Sequence, residues 1–339
     1  MTAKGEGLYA FRLTLSAKKA LAAKGDQLSA FTFQLFALNC CFIHKYNMSV
    51  TYNMQPAFAV DDASLLETDL TTCHLLVLVG QGTFSYVVFD PAGGKFLALK
   101  SYNFQPQKLA VADLEMIERV FDADKLLFTA FKSVLLAFDA SVSTLVPENQ
   151  YSPQLKKDFL HMVYPEKLQE AVLADVLPPP MSLVNVYAVD KDLLGFLRKE
   201  FSTDRVVHAH SALLQAYPYD FDFRAHDGVA YIMAQRNRFT ITIYAAGKLL
   251  NQQELPYQSG LDIVYHLVNA VRVLGLDEQK VKVKLGGPLA KDSDIYQELH
   301  KFVSHLEWVQ RLPEFQYIGK MQEMPGYYFH NLYALALCV

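Results

Sequence analysis

At 339 residues, with 52% hydrophobic and 13% aromatic side chains, the chain is long enough for two ordinary cores and too apolar to be disordered. Its formal net charge is −4, but residues 1–47 hold six basic groups against Glu6 and Asp26, which leaves 25 basic and 33 acidic groups in residues 48–339. That acidic body excludes a broad electrostatic footprint for nucleic acid, and the longest apolar run, residues 28–43, is broken by Gln34 and Asn39 and is too short for a transmembrane helix. The four cysteines, Cys40, Cys41, Cys73 and Cys338, form no C-x-x-C pair, so reduced thiols in a cytoplasmic protein are expected.

Residues 1–47 mix Ala/Lys runs with an apolar stretch and read as a leader or extension outside the core. Three origins remain open: an upstream extension with the true start at Met48 or Met54 rather than Met1, an amphipathic arm, and a cleaved targeting segment. A clean strand pattern begins after these residues.

From His74 onward the pattern predicts three antiparallel strands at 75–79, 84–90 and 95–102, with Pro91-Ala-Gly-Gly94 supplying the turn between the last two. Apolar side chains on both parities of 84–89 imply a central strand covered on both faces. A helix is expected from about Gln107 to Phe121, another near Lys125, and a strand at 133–138. Ser152-Pro153 has the form of a helix start, and Glu170–Leu177 and Met181–Val189 read as strands separated by Pro178-Pro-Pro180. A helix over 191–201, a short strand over 206–210 and a helix starting at Ser211 follow.

The turn-rich segment Tyr217–Gly228 suggests a boundary, giving a first half over 48–222 and a second over 223–339 with a C-terminal helix closing back on the body. The second half repeats the first: strands at 229–234, 238–245 and 248–255, then a helix after Ser259-Gly260. Aligning Phe84 with Phe239 sets Phe89 opposite Tyr244, with a shorter second turn. Lys280-Val-Lys-Val-Lys-Leu285 alternates strictly, which predicts a strand with Val281, Val283 and Leu285 inward and three lysines in solvent. Two like-folded halves facing a cleft are therefore the expected architecture.

Three segments carry a resemblance to the actin-like ATPase superfamily: Val79-Gly-Gln-Gly-Thr-Phe-Ser-Tyr-Val-Val-Phe-Asp90 is similar to its first phosphate loop, Ala234-Gln-Arg-Asn-Arg-Phe-Thr-Ile-Thr-Ile-Tyr244 to its second, and Val283-Lys-Leu-Gly-Gly-Pro-Leu289 to its adenosine loop. With Ser143-Thr-Leu-Val-Pro-Glu148 and Lys100-Ser-Tyr-Asn-Phe104, the chain looks closest to an uncharacterised bacterial family of unknown function with this fold, and more distantly to pilus-assembly actin-like proteins. The resemblance implies an α/β fold of two ribonuclease-H-like halves with mixed sheets and an interdomain cleft. The cofactor it implies is ATP or another nucleotide.

Active members of that superfamily hold an aspartate at the start of each phosphate loop, one for magnesium and one for the attacking water. Here those positions are Gly80 and Met233, and the second loop's glycines are replaced by Gln235, Arg236 and Asn237. The candidate cleft positions are then Gly82, Thr83 and Ser85 as an anion-binding turn, Arg236, Asn237 and Arg238 as direct phosphate partners, and Gly286 and Gly287 as a close approach for base or ribose. Plain polar turns account for the same residues. His208-Ala-His210 has ligand spacing if both lie on one strand face, but no carboxylate partner is visible in sequence. The leading reading is a non-catalytic scaffold or ligand-sensing protein. A nucleotide-binding switch or weak ATPase, and an interaction module with an unknown protein partner, are the alternatives.

Overall fold

The computed structural model describes residues 54–339 apart from 105–112, 166–169, 221 and 223–225. The reading of 1–47 as an extension, Cys40, Cys41 and the start of the helix expected at Gln107 lie outside the described residues.

A short β1 (Phe58–Asp61) leads into the first meander, β2 (His74–Gly80), β3 (Thr83–Asp90) and β4 (Lys95–Asn103), followed by α1 (Asp113–Ala123) and β5 (Ser133–Phe138). An inserted layer comes next: β6 (Ser143–Pro147), α2 (Lys156–Val163), β7 (Ala171–Leu177) and β8 (Leu183–Val189). The chain returns through α3 (Lys191–Phe201), β9 (Val206–His208) and α4 (Ala209–Asp220). A second meander of β10 (Val229–Ala234), β11 (Arg238–Ala245) and β12 (Lys248–Pro256) is followed by α5 (Gly260–Val273), β13 (Lys282–Gly286), α6 (Asp294–Phe302) and β14 (Leu306–Trp308). The last elements are β15 (Gln316–Tyr317) and α7 (His330–Tyr333), which runs into a 3-10 turn at Ala334–Cys338.

The two main sheets share a five-strand core. The first runs β1-β4-β3-β2-β5-β9, with β15 also pairing with β4, and the second β12-β11-β10-β13-β14; in each core a three-stranded antiparallel meander is extended on the side of its first strand by two parallel strands. The likeness extends to a defect in the ladder. Register shifts between Val88 and Phe89 in β3 and between Ile243 and Tyr244 in β11, the positions the sequence alignment sets opposite one another. A bulge adds one residue and bends the strand, so a shared bulge gives both sheets the same local bend.

Period-2 alternation distributes the apolar residues over three layers. Leu75, Val77 and Val79 of β2 pack under α1 and α3, while Ala230, Ile232 and Ala234 of β10 pack under α5 and α6. The intervening residues, Leu76 and Leu78 together with Val229, Tyr231 and Met233, join one central core with α4 and the C-terminal residues Leu332, Tyr333 and Leu335. The inserted sheet β6-β8-β7 has its own small core with Leu160 of α2. β3 is central and buried on both faces, as the sequence predicts.

Local signals start the helices where they begin. The Asp190 carboxylate accepts the amides of Asp192 and Leu193 at the start of α3, and the Asp262 carboxylate accepts that of Ser259 at the start of α5. Two expectations need correction. The strand expected over 206–210 stops at His208, because α4 already begins at Ala209, so His208 and His210 do not share a strand face. Lys284 does not face solvent: it is 4% exposed, and its ammonium donates to the Asp220 carboxylate at 2.8 Å and to the Asp220 carbonyl at 2.9 Å. The face of β13 turned away from α5 is covered by the end of α4, so strand alternation gave the side of the sheet but not what covers it.

Candidate functional site

The site lies where the β2–β3 turn, the β10–β11 turn and the end of β13 approach one another. Gly82 has φ +69°, and its carbonyl accepts the Phe104 amide at 2.7 Å. The Ser85 hydroxyl is buried within the sheet, 2.8 Å from that of Ser101. A Cβ on Gly80 would stand 2.5 Å from the Thr83 hydroxyl and 3.9 Å from a carboxylate oxygen of Asp139, which places this turn beside the end of β5.

Across the junction, Arg236 and Asn237 are exposed, whereas Arg238 is 6% exposed. Arg236 reaches the Phe104 carbonyl at 3.4 Å, and the Asn237 carbonyl accepts the Tyr257 amide at 3.2 Å. Arg238, at the start of β11, turns its guanidinium toward the other sheet. Its Nη2 donates to the Asp139 carbonyl at 2.8 Å and lies 3.2 Å from Asp139 Oδ2, its Nη1 lies 3.1 Å from Glu254 Oε1, and its Nε donates to Gln235. The three candidate residues of this turn therefore separate: one is built into a buried network and two face outward.

The glycine pair is held by packing. At Gly286 a Cβ would stand 2.6 Å from Met233 Sδ, so the Met233 side chain fills the space beside β13. Gly287 has φ +110°, a Cβ there would come within 2.0 Å of the Ala234 carbonyl oxygen, and its amide donates to the Tyr327 carbonyl at 2.9 Å. Tyr327 in turn stacks on Trp308 with ring centroids 4.0 Å apart. The chain's own C-terminal segment thus occupies the backbone donor of the glycine turn.

Sequence reasoning missed Asp139, Glu254 and the true setting of His210. Asp139 directly follows β5, a parallel strand, and its amide donates to the Val79 carbonyl at 2.8 Å. A carboxylate at the carboxyl end of a parallel strand is a recognisable position for a site residue. Glu254 is in β12 and gives no pattern signal. His210 Nε2 is 3.0 Å from the Thr240 hydroxyl, 3.9 Å from Asp139 Oδ1 and 3.7 Å from Glu254 Oε2, so the imidazole does have carboxylate neighbours, contrary to expectation. His208 Nδ1 accepts the His210 amide at 3.0 Å, which leaves Nε2 to carry the proton toward the Ala140 carbonyl at 2.8 Å.

Charge in this junction is tightly constrained. Burial lowers His210 to about 3, assisted by the Arg238 charge, so the imidazole is neutral at pH 7. Burial raises Glu254 to about 7; Arg238 pulls it down and Asp139 pushes it up. One guanidinium is shared by two carboxylates.

The cavity that touches Asp139, His210, Gln235 and Gly287 measures about 20 Å³, room for about one water. A second cavity of about 280 Å³, which includes Gly80, Gln81, Asp139, Glu170 and Asp190, is lined only by residues 79–193 and takes nothing from the second sheet.

The model of a family described as a protein of unknown function, DUF3822, matches residues 63–306. The chain belongs to the DUF3822 family. Among solved structures, this DUF3822 protein is similar to a Bacteroides thetaiotaomicron protein with an actin-like ATPase fold and unknown function, at 15% identity and a TM-score of 0.63, over 75% of this chain and 95% of that one. It is also similar to the PilM-PilN type IV pilus biogenesis complex, at 16% identity and a TM-score of 0.48, over 78% of this chain and 98% of that one. No curated protein matches the sequence. The DUF3822 chain therefore has the actin-like ATPase fold, with the duplicated mixed sheets expected from its sequence. Among the described residues, no helix is long and apolar enough to cross a membrane.

Proposed function

We propose that this protein is a non-catalytic actin-like scaffold whose junction between the halves is sealed by its own side chains. The observation that carries this reading is the cavity of about 20 Å³ that touches Asp139, the second hairpin turn at Gln235 and Gly287, far below the roughly 300 Å³ at which small-molecule pockets begin; the first hairpin turn, at Gly80 and Gln81, borders instead the cavity of about 280 Å³ lined by the first half alone. Arg238 supplies there, from within the chain, one positive charge shared between the carboxylates of Asp139 and Glu254. The resemblance to actin-like ATPases puts Gly80 and Met233 where hydrolysis needs an acid, and the C-terminal segment holds the Gly287 amide. A protein of this kind works by presenting a fixed surface to a protein partner rather than by turning over substrate.

Thermal unfolding with ATP, ADP and GTP at 1 mM, with and without magnesium, tests this reading. Ligand at about 100 times its Kd adds about 2.7 kcal/mol of stability, so any affinity near 10 μM would give a clear shift. No shift is expected. A saturable shift with one nucleotide would overturn the sealed-junction reading in favour of a nucleotide-dependent switch.

A further inference from the structure

We propose that Asp139, His210 and Glu254 form a binding site for one divalent transition-metal ion, joining the end of the first sheet's β5 to the second sheet's β12. Each carboxylate gives one oxygen to Arg238, Oδ2 of Asp139 at 3.2 Å and Oε1 of Glu254 at 3.1 Å. The other oxygen of each, Asp139 Oδ1 and Glu254 Oε2, is buried without a hydrogen-bond partner. A buried orphan acceptor is costly, and two of them pointing at the same place call for a shared positive occupant. Asp139 is 9% exposed and His210 4%, and Glu254 Oε2 is itself buried although its side chain is 14% exposed, so bulk water does not serve these atoms.

The geometry suits an ion. His210 Nε2 is 3.9 Å from Asp139 Oδ1 and 3.7 Å from Glu254 Oε2, and all three ligand atoms lie within 4.8 Å of one another. A triangle with those sides has a centre no more than about 2.5 Å from each corner, so a contraction of a few tenths of an ångström gives the roughly 2.0–2.2 Å of zinc with nitrogen and oxygen donors. One imidazole with two carboxylates favours zinc, manganese or cobalt over magnesium and calcium, which prefer all-oxygen shells. Arg238 then acts as an outer partner that orients both carboxylates through their remaining oxygens. The adjoining cavity, which touches Asp139 and His210, has room for one water as a further ligand. Thr240 would release its 3.0 Å contact with His210 Nε2 when the ion enters.

The test uses the full chain stripped of metal by chelation and titrated calorimetrically with Zn²⁺, Mn²⁺, Co²⁺ and Mg²⁺ in turn, without nucleotide. One equivalent of Zn²⁺ or Co²⁺ is expected at micromolar concentration, with no Mg²⁺ binding below the millimolar range. The Co²⁺ form should lack a thiolate-to-metal charge-transfer band, which separates this site from the cysteines. His210→Gln and Glu254→Gln should each weaken binding at least about 100-fold, beyond the 10–100-fold typical of losing an outer partner. If His210→Gln does not fold by circular dichroism, Glu254→Gln at the partly exposed carboxylate decides. Absence of a one-equivalent site in the wild type, a thiolate band, or wild-type affinity in Glu254→Gln would each overturn the proposal. The nucleotide experiment is independent of these outcomes, so a sealed junction and a metal site can fail separately.

Discussion

Replacing Arg238 with methionine keeps most of the side chain's volume and removes the one guanidinium that, among the described residues, touches both Asp139 and Glu254. Arg238 is 6% exposed, so water cannot take over its role without a rearrangement of the turn. Removing one partner of a buried ion pair costs about 3–5 kcal/mol, because the remaining charge is left uncompensated. Two carboxylates are left here, together with the Asp139 carbonyl that accepts from Nη2 at 2.8 Å. The upper end of that range is therefore expected at pH 8, measured by urea denaturation in the presence of a chelator. Glu254 is already raised to about 7 and is pulled down by Arg238, so loss of the guanidinium raises it further. A proton then replaces the lost charge as pH falls. The cost of Arg238→Met should accordingly shrink between pH 8 and pH 6, and the double variant Arg238→Met with Glu254→Gln should recover part of the loss at pH 8. A cost below about 1 kcal/mol at pH 8, in the range of exposed pairs, would refute the argument that Arg238 closes the junction.

Gly287→Ala should cost at least about 3 kcal/mol in the same assay, since φ is +110° and the new Cβ would meet the Ala234 carbonyl at 2.0 Å; Gly275→Ala, at φ +70° with open space around it, should cost only about 1 kcal/mol. Equal costs would show that backbone conformation alone, and not close packing, selects Gly287. Burial lowers His330 to about 4, from an unfolded value near 6.5. Between those values the unfolded chain binds a proton that the folded chain does not, so this residue's contribution falls as pH falls, by about 1.4 kcal/mol per pH unit. His330→Gln should therefore narrow its stability gap to the wild type by about 2 kcal/mol between pH 7 and pH 5. A gap independent of pH would show that His330 takes up its proton in the folded state.

The repeated meander was legible because it depends on local chemistry. Glycine turns, apolar runs at 75–79 and 229–234, and capped helices such as 191–201 each carry their own signal within about ten residues, and the strand at 133–138 and that helix coincide with the observed elements. Even the shared bulge is visible in retrospect as Phe89 set opposite Tyr244. The junction was not legible. Asp139, His210, Arg238 and Glu254 come from four elements, and no spacing along the chain links them. Arg238 read as one of two similar turn arginines, yet it is buried while Arg236 is exposed, because β11 starts between them. Lys284 failed for the same reason. Alternation says which way a side chain points, but the end of α4 decides whether water or Asp220 meets it.

The pairing of β15 with β4 has a consequence for the order of assembly. Gln316 and Tyr317 align with Lys95 and Phe96, so part of the edge of the first sheet is completed by residues more than two hundred positions later. On the ribosome, that edge stays open until the whole second sheet, which ends at Trp308, has been synthesised. The two halves cannot mature as independent beads on a string, and a tag or truncation near the C-terminus would act on the first sheet, at the opposite end of the chain from where it was made.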